Sequence, residues 1–306
     1  MTVDFGLSLL EGPPAGHNHQ WLDDLDTSVS HLKGVFRSLW MTDHFFWEGR
    51  PTFEAWTTMS FIAARYSDFE IGPMVLGQNY RNPATLALMA ATLQTLSNGR
   101  FVMGIGAGWK EDEYRAYDYA YPSPKVRLEQ LEDTLIIFKK MWEEEGQVSY
   151  EGKHYSIKDA WCEPKPTVKI PIIVGGGGKT TMKHAAKYAD MWNLSDAPIE
   201  RYTERLNILK NHLDDIERAR DTMRFSWFGR VAIGKTEAEA QVRGNSRALK
   251  WTRDNAFVGT AEQIAEQMSE FVEQGCDYFM IDIIDLSDED VIGLILEELV
   301  PKVKNL

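Results

Sequence analysis

The alternation of apolar strand-like runs with helical patterns restricts the possible fold of this chain most strongly. Eight runs are rich in β-branched and aromatic residues, and several are apolar at nearly every position, which is typical of parallel strands covered on both faces. The runs are residues 3–10, 35–42, 69–77, 100–106, 170–174, 190–195, 224–234 and 278–284. Eight strands that alternate with helices over 306 residues favour an α/β fold of the (β/α)8 TIM barrel type, with insertions, over an open sheet.

Two helical segments carry clear start and stop signals. Asn82 is placed to cap the first helix and Gly99 to end it. In the second, Thr260 and Gln263 have the spacing of a capping box, and Gly275 is the stop. Apolar residues three and four positions apart predict one buried stripe on the first helix. They are Leu86, Met89, Leu93 and Leu96.

Charge and composition exclude several classes of partner. The chain has 33 lysines and arginines against 46 aspartates and glutamates, a net charge of −13, and no long basic run. This argues against nucleic acid or an anionic membrane as a partner. No apolar stretch approaches the ~20 residues of a membrane helix, and the N-terminus lacks the apolar run of a signal peptide. With only Cys162 and Cys276 as thiols, a reducing compartment and a cytoplasmic location are expected.

The domain organisation predicted from the sequence is simple. No composition shift or Pro/Ser-rich linker divides the chain, so residues 1–306 are expected to form a single barrel domain. Residues 145–169 break the alternation of strands and helices. They predict a small excursion, a hairpin over one rim of the barrel.

A row of glycines follows the strand-like run at 170–174 and precedes a helical pattern. The loop after a strand faces the ligand side of a parallel α/β fold. Successive glycine amides and the positive end of a helix that Thr180 or Thr181 caps predict an anion site; a loop that only needs positive φ angles is the alternative. A second cluster, "GIGAGW" at 104–109, follows the fourth strand, so a ligand is expected to lie across both loops. The row consists of Gly175, Gly176, Gly177 and Gly178.

Four segments in this order resemble the bacterial-luciferase-like oxidoreductases, and most closely the subgroup that uses the deazaflavin coenzyme F420. FMN-dependent monooxygenases are near relatives of that subgroup. The combination covers nearly the whole chain and is specific, although each piece alone is not. The segments are "SLWMTDHFF", "YRNPATLALMAATLQTLSNGRFVMGIGAGWKEDEYRAY", "IPIIVGGGGKTTMKHAAKYADMWN" and "FVGTAEQIAEQMSEFVEQGCDYFMIDI".

The resemblance implies that the carboxyl-terminal mouth of the barrel holds F420, or alternatively FMN. The cofactor phosphate would then lie on the four glycines of 175–178, and Gly106 and Gly108 would pass close to the ring or its ribityl chain. A non-proline cis peptide that backs the ring would lie between Met74 and Val75. A homodimer is implied by analogy with the family.

The same resemblance places Asp43 and His44 beside the reactive ring. An imidazole, with an ordinary pKa of about 6.5, is suited to move the proton that accompanies hydride transfer, so His44 is the candidate acid or base. Asp43 would bond the ring or orient the histidine. A structural role for this pair is the alternative.

The expected substrate is a small organic molecule in an apolar pocket, with Trp47, Trp109 and Trp192 as walls. Some F420-dependent sugar-phosphate dehydrogenases carry a catalytic glutamate where this chain has Trp109. Sugar-phosphate dehydrogenation is therefore not the expected reaction.

The function predicted from the sequence is F420-dependent hydride exchange with an organic substrate, and the alternative is an FMN-dependent monooxygenase. A barrel that binds a flavin without turnover is a minor alternative. A metal-dependent hydrolase is another, because His17 and His19 have the spacing of two metal ligands. Too few further ligands lie at other strand ends, so no metal is predicted and these histidines are expected to line or gate the pocket.

Overall fold

The computed structural model of this protein describes residues 2–9, 12–13, 21–47, 51–246 and 255–306. Strands and helices alternate along this part of the chain, as the sequence predicts. The strands are β1 Asp4–Ser8, β2 Ser38–Met41, β3 Glu70–Pro73, β4 Leu76–Gly77, β5 Met103–Gly106, β6 Val148–Glu151, β7 Ser156–Ala160, β8 Ile172–Gly175, β9 Met191–Ser195, β10 Arg224–Ile233, β11 Ala256–Gly259 and β12 Tyr278–Ile283. The helices of the first half are α1 Trp21–Leu32, α2 Ala55–Arg65, α3 Pro83–Leu96, α4 Glu111–Ala116 and α5 Pro124–Glu143. Those of the second half are α6 Lys179–Tyr188, α7 Ile199–Asp215, α8 Glu237–Ser246, α9 Ala261–Gln274, α10 Glu289–Gly293 and α11 Val300–Lys304, with a π-helical turn at Leu294–Leu299 before α11.

The main sheet closes into a parallel barrel. Its strand order is β3-β2-β1-β12-β10-β9-β8-β5-β4, and the end strands β3 and β4 are consecutive pieces of one extended segment. Ile71 in β3 pairs with Phe101, just before β5, and Leu76 in β4 pairs with Ile105 in β5. The segment therefore pairs with β2 on one side and with β5 on the other, which closes the barrel. Counting β3 and β4 as one strand, the barrel has eight parallel strands, and the predicted (β/α)8 fold is confirmed.

One further strand, β11, was not among the eight predicted runs. It pairs in parallel with β10 from Arg230 to Ile233, whereas the first half of β10, from Arg224 to Phe228, pairs with β9. Strand β10 has ten residues and β9 has five, so β10 extends beyond the end of β9. The second half of β10 pairs with β11 instead. The four-residue run of β11 is too short to be separated by pattern from the helix start that follows it.

The helix termini follow the sequence signals, but the predicted stripe on α3 is partly wrong. The Asn82 side chain accepts hydrogen bonds from two backbone amides of the first turn, and Thr260 and Gln263 form a capping box. Leu96, however, is 77% exposed, because it lies with Leu88 and Thr92 on the outward face of α3, at four-residue spacing. The buried residues of α3 are Pro83, Leu86, Ala87, Ala90, Ala91, Leu93 and Gln94.

Residues 148–160 form an antiparallel hairpin, β6–β7, where the sequence predicts the excursion. The carboxylate of Asp133 in α5 accepts hydrogen bonds from the Tyr150 hydroxyl (2.9 Å) and from the backbone amides of His154 (2.7 Å) and Tyr155 (3.1 Å). The Tyr155 hydroxyl also donates to Gln78, just after β4 (3.3 Å). The hairpin therefore reaches the carboxyl-terminal end of the barrel.

Apolar side chains fill the inside of the barrel as well as the layer between strands and helices. The inner cluster is separate from the main core and consists of Trp40, Met74, Val102, Ile173, Met191, Tyr278 and Met280. It fills the interior of the barrel, as side chains do in other TIM barrels. In the described part of the chain, none of the helices has both the length and the apolar character needed to cross a bilayer.

Candidate functional site

A cavity of ≈ 270 Å³ opens at the carboxyl-terminal mouth of the barrel. Its walls come from the ends of β2, β4, β5, β8 and β9 and from the loops that follow them. In a TIM barrel this is the end at which ligands bind. The lining residues are Asp43, His44, Met74, Val75, Leu76, Gly77, Tyr80, Gly106, Ala107, Gly108, Trp109, Lys110, Glu113, Gly175, Gly176, Thr181, Asn193 and Ser195.

The Val75 side chain explains why two neighbouring strands end in glycine. A Cβ atom on Gly106 would lie 2.9 Å from Val75 Cγ2, and one on Gly175 would also lie 2.9 Å from it. The peptide bond between Met74 and Val75 is cis, as the resemblance implies. Three strand ends thus meet around one side chain at the floor of the cavity.

The loop of Gly175, Gly176, Gly177 and Gly178, here called the glycine loop, leads into α6. The helix begins at Lys179 with Gly178 as N-cap, and no side chain caps it. The prediction that Thr180 or Thr181 caps the helix is therefore wrong, because both lie inside its first turn.

Because no side chain caps the start of α6, several backbone N–H groups there have no acceptor among the described residues. The first backbone hydrogen bond of the turn runs from Met182 N to Gly178 O (2.9 Å), and the amides of residues 177–181 find no acceptor among the described residues. Five successive N–H groups at the positive end of a helix form an anion-binding arrangement. Gly176 and Thr181 from this segment line the cavity.

Trp192 is not a wall of the cavity, contrary to the prediction. It is fully buried, and its ring packs against Tyr202 with 5.5 Å between centroids. Side chains alternate along β9, so Asn193 and Ser195 line the cavity while Trp192 faces the helical layer. The indole Nε1 donates to the carbonyl oxygen of Gly176 (2.9 Å), so Trp192 contacts the glycine loop from behind.

His44 lines the cavity and is enclosed by aromatic rings. Its ring centroid lies 4.5 Å from that of Trp47 and 5.6 Å from that of Trp109. Trp109 also lines the cavity, whereas Trp47 supports the histidine and is not itself a lining residue. The Nδ1 atom of His44 lies 3.1 Å from a carboxylate oxygen of Glu113.

Glu113, in α4, is fully buried and accepts hydrogen bonds from donors in the segments that follow β2 and β4. The backbone amides of Phe45 (2.8 Å) and Phe46 (3.3 Å) donate to it, as does the Tyr80 hydroxyl (3.1 Å). Burial raises the pKa of Glu113, but hydrogen bonds from His44 and the two amides lower it by more, so the net pKa lies below that of an ordinary glutamate. The group is therefore a carboxylate at neutral pH.

This carboxylate decides which nitrogen of His44 carries the proton. A carboxylate only accepts hydrogen bonds, so His44 Nδ1 must donate to it. In the neutral imidazole, Nε2 then has a free lone pair, and this atom has no partner among the described residues. His44 can accept a proton from a group in the cavity through Nε2, or return it as an imidazolium.

Among the described residues, the Asp43 carboxylate accepts hydrogen bonds from groups other than the His44 ring. Its two carboxylate oxygens accept hydrogen bonds from Arg81 Nη1 (2.9 Å) and Nη2 (3.0 Å), and one of them also accepts from the backbone amide of Gly77 (3.0 Å). The carboxylate that contacts the His44 ring is that of Glu113, where the prediction had Asp43. Asp43 instead fixes the end of β4 through the Gly77 amide.

The charged groups that line the cavity are paired. Lys110 Nζ lies 2.8 Å from Asp112 and 3.6 Å from Glu113, and 4.1 Å from the centroid of the Phe46 ring. Asp43 is paired with Arg81. The described walls therefore offer a substrate no unpaired charge, and their exposed surface includes the Trp109 ring.

Among the described residues, no group of three or more His, Cys, Asp or Glu side chains is arranged to hold a metal ion. His17 and His19, which the sequence predicts to line or gate the pocket, lie outside the described residues.

Sequence reasoning missed Glu113, Arg81 and Trp192 as parts of the support of this site. Glu113 stands in the acidic run "EDE", which reads as an ordinary first turn of a helix. Its partner His44 is 69 residues away, so no local pattern links the two. The alternation of polar Asn193 and Ser195 along β9 was a usable signal that Trp192 faces away from the cavity.

Three comparisons with known proteins agree with this geometry. A model of the family described as luciferase-like monooxygenase matches residues 33–250. An F420-dependent glucose-6-phosphate dehydrogenase from Amycolatopsis mediterranei is 29% identical over 174 residues, which are 55% of this chain and 52% of that protein. The chain spans about half the length of the first curated relatives it matches.

Two solved structures share the fold over nearly the whole length. An F420-dependent secondary alcohol dehydrogenase, in complex with an F420-acetone adduct, superposes with a TM-score of 0.82 and 19% identity over 99% of both chains. A type II Baeyer-Villiger monooxygenase component from Pseudomonas putida, in complex with FMN, gives 0.76 and 18% over 99% of both chains. At these identities the likeness concerns the fold alone.

The Glu113→Gln substitution tests the buried carboxylate. Because the pKa of Glu113 is lower in the folded chain than its ordinary 4.5, the carboxylate stabilises the fold above that pH, and its contribution is lost as the pH falls through the folded-state pKa. We expect the variant to lose about 3 kcal/mol of unfolding free energy at pH 7. The difference from the wild type should shrink as the pH falls below 4.5.

Urea unfolding at a series of pH values measures this difference. Glu111→Gln is the matched control, because Glu111 is half exposed and its ion pair is with the exposed Arg115; its effect should stay below about 0.5 kcal/mol. A Glu113→Gln curve that runs parallel to the wild type at every pH would contradict the assignment.

Proposed function

Because the chain belongs to the family of luciferase-like monooxygenases, we propose that it is an oxidoreductase that binds coenzyme F420 at the mouth of its barrel. It would exchange a hydride between the deazaflavin and a small organic substrate. Several curated relatives are named F420-dependent glucose-6-phosphate dehydrogenases, which supports F420 over FMN. The structural neighbour in complex with FMN keeps an FMN-dependent monooxygenase as the alternative.

The observation that carries the proposal is the row of open amides beside the cavity. F420 and FMN both have a phosphate on the ribityl chain, and the N–H groups of residues 177–181 have no acceptor in the described chain. Gly175 and Gly176 border the cavity without side chains that would keep a ligand away from the backbone. The residues present therefore fit a phosphorylated flavin-like cofactor, with the phosphate on the glycine loop and the ring near Val75, Gly106 and Gly108.

When bound, the cofactor supplies the carbon that gives or takes the hydride. The chain's own contribution is proton transfer and positioning. His44 Nε2 would take the proton of a substrate hydroxyl as the hydride leaves, or return it in the opposite direction. Glu113 would hold the imidazole in the required tautomer through Nδ1 and stabilise its charge when it is protonated.

The proposed substrate is an uncharged organic molecule that packs against Trp109, with Trp47 behind His44. A sugar phosphate would need an unpaired cation, and the charged groups of the described walls are already paired. Some sugar-phosphate dehydrogenases have a glutamate after the glycines of β5, where this chain has Trp109. This difference also argues against a sugar phosphate as the substrate. We therefore propose a reaction different from that of the glucose-6-phosphate dehydrogenases among the relatives.

The proposal includes a homodimer, by analogy with the family. An apolar groove between α2 and α3 is lined in part by Trp56, Leu88 and Leu96, and the last two are 39% and 77% exposed. A second copy seated on this groove would bury these side chains. The cytoplasmic location and the single domain over 1–306 stay predictions from the sequence.

A paired titration tests the cofactor assignment. Purified apo-protein is titrated with F420 and with FMN while the cofactor fluorescence is followed. We expect F420 to bind more tightly than FMN. The opposite order would favour the monooxygenase alternative, and binding of neither cofactor would contradict the proposal. Binding of F420 without turnover of any substrate would favour the non-catalytic barrel.

The His44→Gln substitution tests proton transfer. We expect kcat to fall by about 10²–10⁴-fold, while the dissociation constant of the cofactor stays within about twofold, because His44 Nε2 is proposed to face the substrate. Steady-state oxidation of a panel of apolar secondary alcohols, followed through the F420 absorbance, measures kcat. His31→Gln, on the exposed end of α1, is the control. Unchanged turnover in His44→Gln would remove the histidine from the mechanism.

The double substitution Leu88→Asp and Leu96→Asp tests the dimer. Two buried carboxylates without partners would oppose association, so we expect monomers in sedimentation velocity where the wild type sediments as a dimer. Ile216→Asp, which changes an exposed apolar residue after α7, should leave the dimer intact. A wild-type monomer, or a dimer that survives the double substitution, would rule out this interface.

A further inference from the structure

Trp192 has a contact that neither packing nor the proposed chemistry requires. Its ring is fully buried between β9 and α7, against Tyr202. The single polar atom of the side chain, Nε1, donates to the carbonyl oxygen of Gly176 at 2.9 Å. That oxygen belongs to the peptide group in the middle of the glycine loop. A side chain of β9 that faces the helical layer thus reaches the loop from the side opposite the cavity.

The direction of this carbonyl determines the direction of the next amide. The C=O of Gly176 and the N–H of Gly177 share one trans peptide group, which is planar, so they point in opposite directions. Because the oxygen points at the buried indole, the Gly177 N–H points away from it. This amide is the first of the five that lack an acceptor in the described chain.

The loop needs such a restraint because glycine itself supplies none. Gly176 has a φ of 122°, in a region that glycine enters freely and side chains oppose, and glycine has several other conformations of similar energy. Its own amide is fixed by the carbonyl oxygen of Asn193 (3.0 Å). The hydrogen bond from Trp192 fixes the carbonyl group of Gly176. Two residues of β9, Trp192 and Asn193, therefore hold both the C=O and the N–H of Gly176.

We propose that Trp192 is a positioning residue that orients the glycine loop for the phosphate of the cofactor. The inference rests on the proposed function for the identity of the anion. Without the indole donor, the 176–177 peptide group is free to rotate, and its carbonyl oxygen then faces the phosphate in place of the N–H. One donor would be lost and one repulsive dipole gained at the anion site.

The test removes the donor and compares ligands with and without the phosphate. Trp192→Phe keeps an aromatic ring in the core but has no N–H. Trp227→Phe is the matched control, because Trp227 is also buried and its Nε1 donates to the carbonyl oxygen of Ala197 (2.9 Å), outside the glycine loop. Each protein is titrated with FMN and riboflavin, and with F420 and the deazaflavin nucleoside that lacks the phosphate.

The expected result is a loss of selectivity for the phosphorylated ligand. In Trp192→Phe the dissociation constant of the phosphorylated ligand should rise about three- to tenfold, as for one lost hydrogen bond. Affinity for the ligand without phosphate should stay within about twofold. Trp227→Phe should show neither change. Replacement of Trp192 by 3-benzothienylalanine, whose sulfur takes the place of the N–H in a ring of nearly the same shape, should reproduce the effect if the Phe variant does not fold.

Three outcomes would overturn the inference. Equal weakening of both ligands in Trp192→Phe would mean that Trp192 only stabilises the fold. Unchanged affinity for both would mean that the loop holds its orientation without the indole. In each of these cases a wild-type preference for the phosphorylated ligand leaves the proposed function standing. A wild type that does not distinguish the two ligands would overturn the phosphate subsite itself, and with it both proposals.

Discussion

The mouth of the barrel depends on a buried carboxylate in a short helix. Glu113 accepts hydrogen bonds from two backbone amides just after β2, from Tyr80 and from His44. A buried negative charge is stable only when donors of this kind surround it. The cost of burial is therefore offset only when the chain after β2, the β4–α3 connection and α4 are all in place. This makes the geometry at His44 a property of the assembled barrel.

Two other carboxylates around the mouth also accept hydrogen bonds from backbone amides of distant segments. Asp43 accepts the Gly77 amide and Arg81, and Asp133 accepts the amides of His154 and Tyr155 in the hairpin. In each case a carboxylate fixes the backbone of a segment that is distant in sequence. The acidic residues of the site thus serve mainly to shape the loops, and the imidazole of His44 and the open amides of the glycine loop are left for ligands.

Features encoded by neighbouring residues could be predicted from the sequence, and features encoded by distant contacts could not. The glycine loop, the Asn82 cap and the capping box of Thr260 are local and were recognised. The partnership of Glu113 with His44 spans 69 residues, and β11 depends on the extra length of β10, so neither has a local signature. Leu96 and Trp192 were misplaced for another reason: apolar character was taken as a guide to position, whereas the outward face of α3 and the alternation along β9 decide it.

The contact of Val75 with both Gly106 and Gly175 has a consequence for how this barrel can diversify. The Val75 side chain occupies the space that a side chain at either glycine would need. A Cβ atom added at Gly106 or at Gly175 would lie 2.9 Å from Val75 Cγ2. Neither glycine can gain a side chain unless residue 75 becomes smaller, so we expect the three positions to change together. The Trp109 side chain, in the outer wall of the cavity, is by contrast 64% exposed. The shape of the cavity can therefore vary through the wall, over a floor that stays constant.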